Sequence, residues 1–323
     1  MMMSTVVVAF GGNALQPPDL GATDAFIDLS SAANAVADIV EEGHRLVITH
    51  GNGPQVGCGL MRSVWAPPGV PRLSMATLVA QSQGELGTLL SIALSNAFAA
   101  RRLRVPVVSV VTHVLVDIND EAFNVFSKPI GPVLSDPTVI ASLRDNVGLP
   151  LIPERGGYRM AVPSPFPQKV VEAAAIRGLL DQGAVVIAGG GGGIPVASGR
   201  DGLVHGVTGV IDKDRTSALL ARSLGATRLV FLTDVEGVYR DFGTPQQALI
   251  VEGTWEDFDD LVNDPKAAGM GSMKPKMAAA CDFVKSTRHS AAIGSLQKAA
   301  QVVDGLAGTR IVWELEEERQ DAQ

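Results

Sequence analysis

The chain has 323 residues, 46% of them hydrophobic and 19% charged, with a net charge of −8 and a pI near 5.2. That length holds a large core, in one domain or two. The acidic balance argues against a general binder of nucleic acid or acidic membranes, and no apolar run approaches the ~20 residues of a membrane span.

In chain order, residues 6–10 are an unbroken apolar run that predicts a strand ending on Gly11-Gly12-Asn13. Residues 22–42 predict a helix closed by Gly43, and residues 45–49 a second strand running through His50 into Gly51-Asn52-Gly53-Pro54. Residues 74–100 predict a long helix and 105–111 a third strand. From 117 to 167 the pattern breaks into Pro, Gly, Asp and Asn with only short apolar pieces. This stretch is too long for an ordinary connection. It reads as an inserted subdomain or lid on an otherwise single domain spanning 1–323, and it carries the cations Lys128, Arg155 and Arg159. Alternation resumes with a helix at 168–182 and a strand at 184–188, which ends in five consecutive glycines, Gly189 to Gly193. A helix at 212–224 is opened by an acidic residue at its positive end. A strand follows at 228–232, a helix at 275–286, a strand at 290–293, a helix at 296–304 and a last strand at 309–313.

Apolar strands without alternation, linked by helices, imply an α/β protein with a mostly parallel sheet covered on both faces. Ligands in such sheets bind at the carboxyl ends of strands. Three strand-then-glycine junctions stand at those ends. Glycine is costly in regular structure, and bare backbone N–H groups can converge on phosphate oxygens. A shared polyphosphate site explains the three junctions better than three idle turns. There is no GxxxxGK loop followed by Ser or Thr. The glycine run is also not a dinucleotide fingerprint, because its glycines are consecutive and no acidic residue follows at the expected distance.

Two further segments carry charge. Ile211-Asp212-Lys213-Asp214 stands at a predicted helix start. Its aspartates serve either as a plain cap with surface charges, or to hold a lysine on phosphate oxygens or help position Mg²⁺, the positioned charge that phosphoryl transfer requires. Gly271-Ser272-Met273-Lys274-Pro275-Lys276 opens another helix, as an anion-binding start or as a loop with two exposed lysines. The two cysteines, Cys58 and Cys281, have no CxxC spacing and argue against a disulfide framework or a cysteine metal site. With no basic, apolar leader after Met1, the expected compartment is the cytoplasm.

Taken together, these blocks resemble the carbamate kinases, a branch of the amino acid kinase superfamily. The resemblance rests on Gly11-Gly12-Asn13-Ala14-Leu15, Thr49-His50-Gly51-Asn52-Gly53-Pro54-Gln55-Val56-Gly57, Lys128-Pro129-Ile130-Gly131-Pro132, Val162-Pro163-Ser164-Pro165, the five-glycine run, Val210-Ile211-Asp212-Lys213-Asp214, Leu232-Thr233-Asp234-Val235 and Gly271-Ser272-Met273-Lys274-Pro275-Lys276. The resemblance implies a three-layer αβα sandwich with about eight strands, a protruding subdomain, and reversible phosphoryl transfer between ATP and carbamate, making ATP from ADP and carbamoyl phosphate in arginine or purine-derived nitrogen breakdown. It also implies Mg²⁺ carried with ATP or ADP, a homodimer, and no nucleic-acid or membrane partner. By position, Lys213, Asp214, Lys276 and Lys128 would be catalytic. Gly11, Gly12, Asn13, Gly51, Asn52, Gly53 and Arg159 would surround the small substrate. Gly190, Gly191, Gly192, Thr233, Asp234, Val235 and Met273 would form the nucleotide side. No protein ligand set for a metal is expected.

Four positions depart from the family pattern: Phe126-Ser127 where Pro-Thr is usual, Met160 for an Arg, Thr208-Gly209 for Glu-Ala, and Lys274 for a Gly. They leave two other readings open. One is a divergent member that phosphorylates another small carboxylate or carbamate. The other is a non-catalytic nucleotide-binding regulator, against which the retained lysines argue.

Overall fold

The apolar run after Ser4 becomes the strand Thr5–Phe10, buried along its whole length, inside an eight-stranded sheet. The computed structural model describes residues 4–11, 29–264 and 271–315. Arg45–Thr49 and Arg228–Thr233 flank the central strand, both parallel to it. Val185–Ile187 and Val107–Ser109 extend one side. Ser290–Ser295, Thr309–Val312 and Glu252–Thr254 extend the other. Among the described residues, the antiparallel junction in this sheet lies between Ser290–Ser295 and Thr309–Val312.

Strand side chains alternate between faces, and here the alternation divides the core. Val6, Val8 and Phe10 pack with residues of the helices Ser30–Glu41, Met75–Ala100 and Ala299–Asp304. Val7 and Ala9 pack on the other face with Ala173–Asp181, Lys213–Leu224, Trp255–Asn263 and Met273–Thr287. The result is the expected three-layer αβα architecture. At ~1.5–3 kcal/mol for each large side chain buried, a strand covered on both faces needs a continuous apolar run, which is why the sequence shows no polar alternation there.

Residues 117–167 are more ordered than their composition suggests. Phe126–Leu134, Gly157–Pro163 and Leu151–Glu154 form an antiparallel three-stranded sheet with Gly157–Pro163 in the centre. The helix Pro137–Val147 accompanies it, capped by the Asp136 carboxylate and ended by Gly148 in the left-handed region. Ile130, Leu134, Leu143, Met160 and Val162 join Val56, Met75 and Leu78 in one apolar cluster. Pro129 and Pro132 read as breakers in the sequence, but they lie in an edge strand, where a missing N–H is tolerated.

Other boundaries move as well. The predicted helix at 168–182 begins as the strand Pro167–Val170, which pairs with His113–Val116 in a separate four-stranded sheet completed by Ile194–Ser198 and Val204–Gly206; the helix itself is Ala173–Asp181. The predicted helix at 22–42 is helical from Ser30, and its first residues lie outside the described ones. The helix Gly53–Val64 has no counterpart in the sequence reading, because Gly53, Pro54, Gly57 and Gly59 look like turn residues. Pro54 stands in the first turn, where proline is accepted. A methyl group on Gly57 would lie 2.1 Å from the backbone of Gly131, so the helix can touch the small sheet only without a side chain there.

Gly57→Ala is therefore expected to destabilise the protein by about 1–3 kcal/mol, as overpacking does. Gly84→Ala, on the exposed side of Met75–Ala100 with nothing within 4 Å, is expected to gain up to about 1 kcal/mol. Urea unfolding of both variants measures this. Equal effects would remove the close approach as the reason for Gly57.

Candidate active site

Three parallel strands end side by side and deliver Gly11, His50-Gly51-Asn52 and Thr233 to one edge of the sheet. The Gly11 N–H donates to the Leu232 carbonyl at 2.8 Å, and a side chain at Gly11 would crowd that oxygen. Gly12 and Asn13 lie outside the described residues.

Above this edge begins the helix Lys213–Leu224. Asp212 caps it, accepting from the N–H groups of Asp214 at 2.9 Å and Arg215 at 3.2 Å. The other Asp212 oxygen receives the Lys128 ammonium at 2.5 Å. Asp214 takes Lys213 on one oxygen at 2.5 Å and Lys276 on the other at 3.6 Å. Lys276 also donates to the Ser272 carbonyl at 3.1 Å. Three ammonium groups thus share two carboxylates. Asp214 and Lys276 are buried, at 5% and 6% exposure. Burial works against the Asp212 charge, but the adjacent Lys128 ammonium and the helix-start N–H groups outweigh it and hold the carboxyl far below its ordinary value. Burial also lowers the Lys276 ammonium, with Asp214 opposing the shift. Buried ion clusters contribute little to stability for what they lose in hydration, so their concentration here makes this edge the candidate site.

These groups line a cleft of about 900 Å³ together with Gly51, Asn52, Gly53 and Arg159. Arg159 donates to the Gly131 carbonyl at 2.9 Å and meets Glu154 at 3.4 Å. A second cavity of about 230 Å³ adjoins the cleft through Gly271 and Ser272 and is lined by Thr233, Asp234, Val235, Tyr239, Phe242 and Met273. The expected nucleotide-side residues other than the glycines therefore share one recess.

The five-glycine run has a different physical origin from the one expected. Four of its five amides are engaged within the protein: Gly189 N–H donates to Thr112 Oγ1, Gly191 to the His50 carbonyl, Gly192 to Gly189 and Gly193 to Gly190. A side chain on Gly190 would lie 2.5 Å from the His50 ring, and one on Gly191 only 1.9 Å from the Asn52 amide. Gly191, Gly192 and Gly193 also have φ of +64°, +88° and +84°. The run lets two loops interlock, and of its members Gly191 lines the cleft while Gly190 and Gly192 are enclosed by protein. His50, buried in this junction, is pushed down by burial to a pKa of about 4 and is neutral at pH 7.

The departures sort by strand geometry. In Gly157–Pro163, Arg159 faces the cleft, so Met160 points the other way, into the apolar cluster, at 1% exposure. An Arg at 160 would bury a charge, so the absent positive charge is not one taken from the cleft. Phe126 and Thr208 are exposed, whereas Ser127 and Lys274 line the cleft. Sequence reasoning missed Asp212 as the partner of Lys128, along with Glu154, Arg215 and the Ser272 carbonyl. Asp212 had a signal, its place beside Lys213, but a capping role explained it equally well.

Residues 4–295 match the model of the amino acid kinase family. The carbamate kinase 2 of Enterococcus faecalis is 37% identical over 311 residues, 96% of this chain and 99% of that protein. The carbamate kinase of Pyrococcus furiosus is 37% identical over 315 residues, covering 96% and 100%. Among solved structures, the carbamate kinase of Giardia lamblia bound to AMP-PNP superposes with a TM-score of 0.84 at 34% identity, covering 96% of this chain and 99% of that one.

Asp212 yields a pH prediction. Its folded carboxyl lies below the ordinary value of 3.8. A depressed carboxylate stabilises fully above its unfolded pKa and loses that contribution as pH falls toward the folded value. Asp212→Asn should therefore be less stable than the parent at pH 7, with the gap closing steadily below about pH 5. Urea unfolding across pH 3–8 reads this, and a gap independent of pH would refute the ion pair.

Proposed function

The chain belongs to the amino acid kinase family, among its carbamate kinases, and on that footing we propose that it transfers a phosphoryl group reversibly between ATP and carbamate. The observation that carries the reading is the convergence of Lys128, Lys213 and Lys276 on Asp212 and Asp214 beside a recess of nucleotide type.

The chemistry follows from which groups are free. Both aspartates are committed to ammonium groups, and His50 is buried and hydrogen-bonded to Gly51. The other carboxylate among the described residues lining the cleft, Glu154, is engaged by Arg159, so among these residues none stands free to take a proton from an alcohol, as a hydroxyl-directed kinase requires. Carbamate needs no such base, because its oxygen is already anionic. Gly51, Asn52, Gly53 and Arg159 hold this small planar anion, and adenine and ribose occupy the recess at Thr233, Asp234, Val235 and Met273. Lys213 and Lys276 then face the charge that develops on the transferring oxygens, and Asp214 keeps the two ammonium groups in place.

The donor set is a poor match for a protein-held Mg²⁺, since Asp212 and Asp214 are taken by lysines. It does fit an ion that arrives on the nucleotide's own phosphates. Carried there, Mg²⁺ would supply positive charge that offsets the negative charge of the phosphates. The same reading makes the protein a cytoplasmic homodimer that forms ATP at the end of arginine or purine-derived nitrogen breakdown. Among the described residues, no helix is long and apolar enough to cross a membrane.

Residues 117–167 act as a lid in this proposal. Lys128 sits on Asp212, so it must exchange that carboxylate for phosphate as substrate binds.

ATP formation from ADP, carbamoyl phosphate and Mg²⁺ tests the reading. Lys213→Ala and Lys276→Ala should lower turnover by about two orders of magnitude with the fold retained. A folded wild type that binds ADP but forms no ATP would transfer the assignment to another small carboxylate acceptor. Hydrogen exchange tests the lid: protection over 126–163 should rise with an ATP analogue and Mg²⁺, and equal protection in both states would argue against a moving lid.

A further inference from the structure

The opposite edge of the main sheet, where its parallel strands begin, holds a cluster that phosphoryl transfer does not use. Glu42 stands at the end of Ser30–Glu41, His44 just before Arg45–Thr49, and Asp304 at the end of Ala299–Asp304. The strand between His44 and the Gly51 loop is five residues long, which separates the cluster from the cleft by about 17 Å.

The His44 side chain is only 6% exposed. Its Nδ1 is 2.7 Å from Ser4 Oγ, and its buried Nε2 has no hydrogen-bond partner. Nε2 instead faces two carboxylates beyond hydrogen-bond range, Asp304 Oδ1 at 3.6 Å and Glu42 Oε2 at 3.8 Å. The three ligand-type atoms all lie within 4.8 Å of one another. Bonds of about 2.0–2.2 Å from one central ion would require only a slight contraction of this triangle.

Electrostatics favour a cation at this point. Each acidic residue stands at a helix carboxyl end, where the backbone dipole is already negative and a carboxylate is misplaced. Neither helix has a basic residue in its last turn. Burial and the neighbouring Asp304 carboxylate push the Glu42 carboxyl up. Arg228 reaches Asp304 Oδ1 at 3.2 Å, a positive neighbour that moderates the affinity of any ion bound there.

We propose that Glu42, His44 and Asp304 form a binding site for one divalent transition ion of the Zn²⁺ class. An imidazole nitrogen with two carboxylates suits Zn²⁺ rather than Mg²⁺ or Ca²⁺, which prefer all-oxygen sets. Under this assignment Nδ1–H donates to Ser4 Oγ and so presents the Nε2 lone pair to the ion, the usual arrangement for a metal-bound histidine. Three protein ligands leave a fourth position for water. The ion would tie the ends of Ser30–Glu41 and Ala299–Asp304 to the start of Arg45–Thr49, away from the catalytic edge.

Zn²⁺ alone, titrated into the chelator-treated full chain against a chromophoric chelator, tests the site. The wild type should take up one Zn²⁺ per chain that His44→Gln does not, and Glu42→Gln should bind it at least tenfold more weakly. Zn²⁺ should raise the melting temperature of the wild type and leave that of His44→Gln unchanged. ATP formation from carbamoyl phosphate should be the same in wild type and His44→Gln. Equal Zn²⁺ uptake by the wild type and both variants, or no uptake by the wild type at micromolar Zn²⁺, would overturn the proposal. If His44→Gln fails to fold, undiminished binding in Glu42→Gln, altered at an exposed side chain, overturns it equally.

Discussion

The pairing of three lysines with two aspartates is the interaction on which the rest of this structure turns. Ammonium and carboxylate groups with this little exposure lose hydration worth several kcal/mol each, and their mutual attraction returns it only in good geometry. The geometry comes from three separate parts of the chain. The start of Lys213–Leu224 supplies both carboxylates, the start of Met273–Thr287 supplies Lys276, and the small sheet supplies Lys128. The αβα layers hold the two helix starts together, through Ala218, Leu220, Met277 and Cys281 in the shared core.

Close backbone approach is the second constraint, and it serves the first. The His50–Asn52 loop and the five-glycine loop interlock so tightly that a methyl group on Gly191 would coincide with the Asn52 amide. Asn52 in turn donates to Ser82 Oγ at 2.7 Å, and Thr216, one turn along from Lys213, donates to the Gly192 carbonyl at 2.8 Å. The floor of the cleft is thereby joined to the lysine-bearing helix by hydrogen bonds rather than by apolar contact alone. In the proposed function such a base gives a small anion a fixed seat, which matters when the ligand has too few atoms to be oriented by burial.

Under the proposed function the small sheet is the part that moves. It rests on Gly53–Val64 across the Gly57–Gly131 contact and on a modest apolar cluster. Its charged tie to the large layers, Lys128 with Asp212, involves a group that phosphate can replace. In that proposal the ion pair at the mouth exchanges while the apolar cluster and the Gly57–Gly131 contact stay in place.

Much of this was legible in the chain itself. Thr5–Phe10, Arg45–Thr49 and Arg228–Thr233 were evident because a strand buried on both faces must be apolar throughout, which is a local property. The motif blocks likewise named Lys128, Lys213, Asp214 and Lys276 by position. The edge strand with Pro129 and Pro132, the helix rich in glycine at 53–64, and the inward turn of Met160 were not legible, because each depends on what lies opposite. The purpose of the glycine run was also hidden: composition shows that a backbone must come close to something, and only the fold shows that the something is His50 and Asn52. The sequence by itself determined the layers, the sheet edge where the glycine junctions gather and the lysines of the motif blocks, since hydrophobic periodicity and short motifs are written in neighbouring residues. The tertiary structure alone decided which carboxylate meets which ammonium, because Lys128 and Asp212 are 84 positions apart and no local pattern encodes their contact.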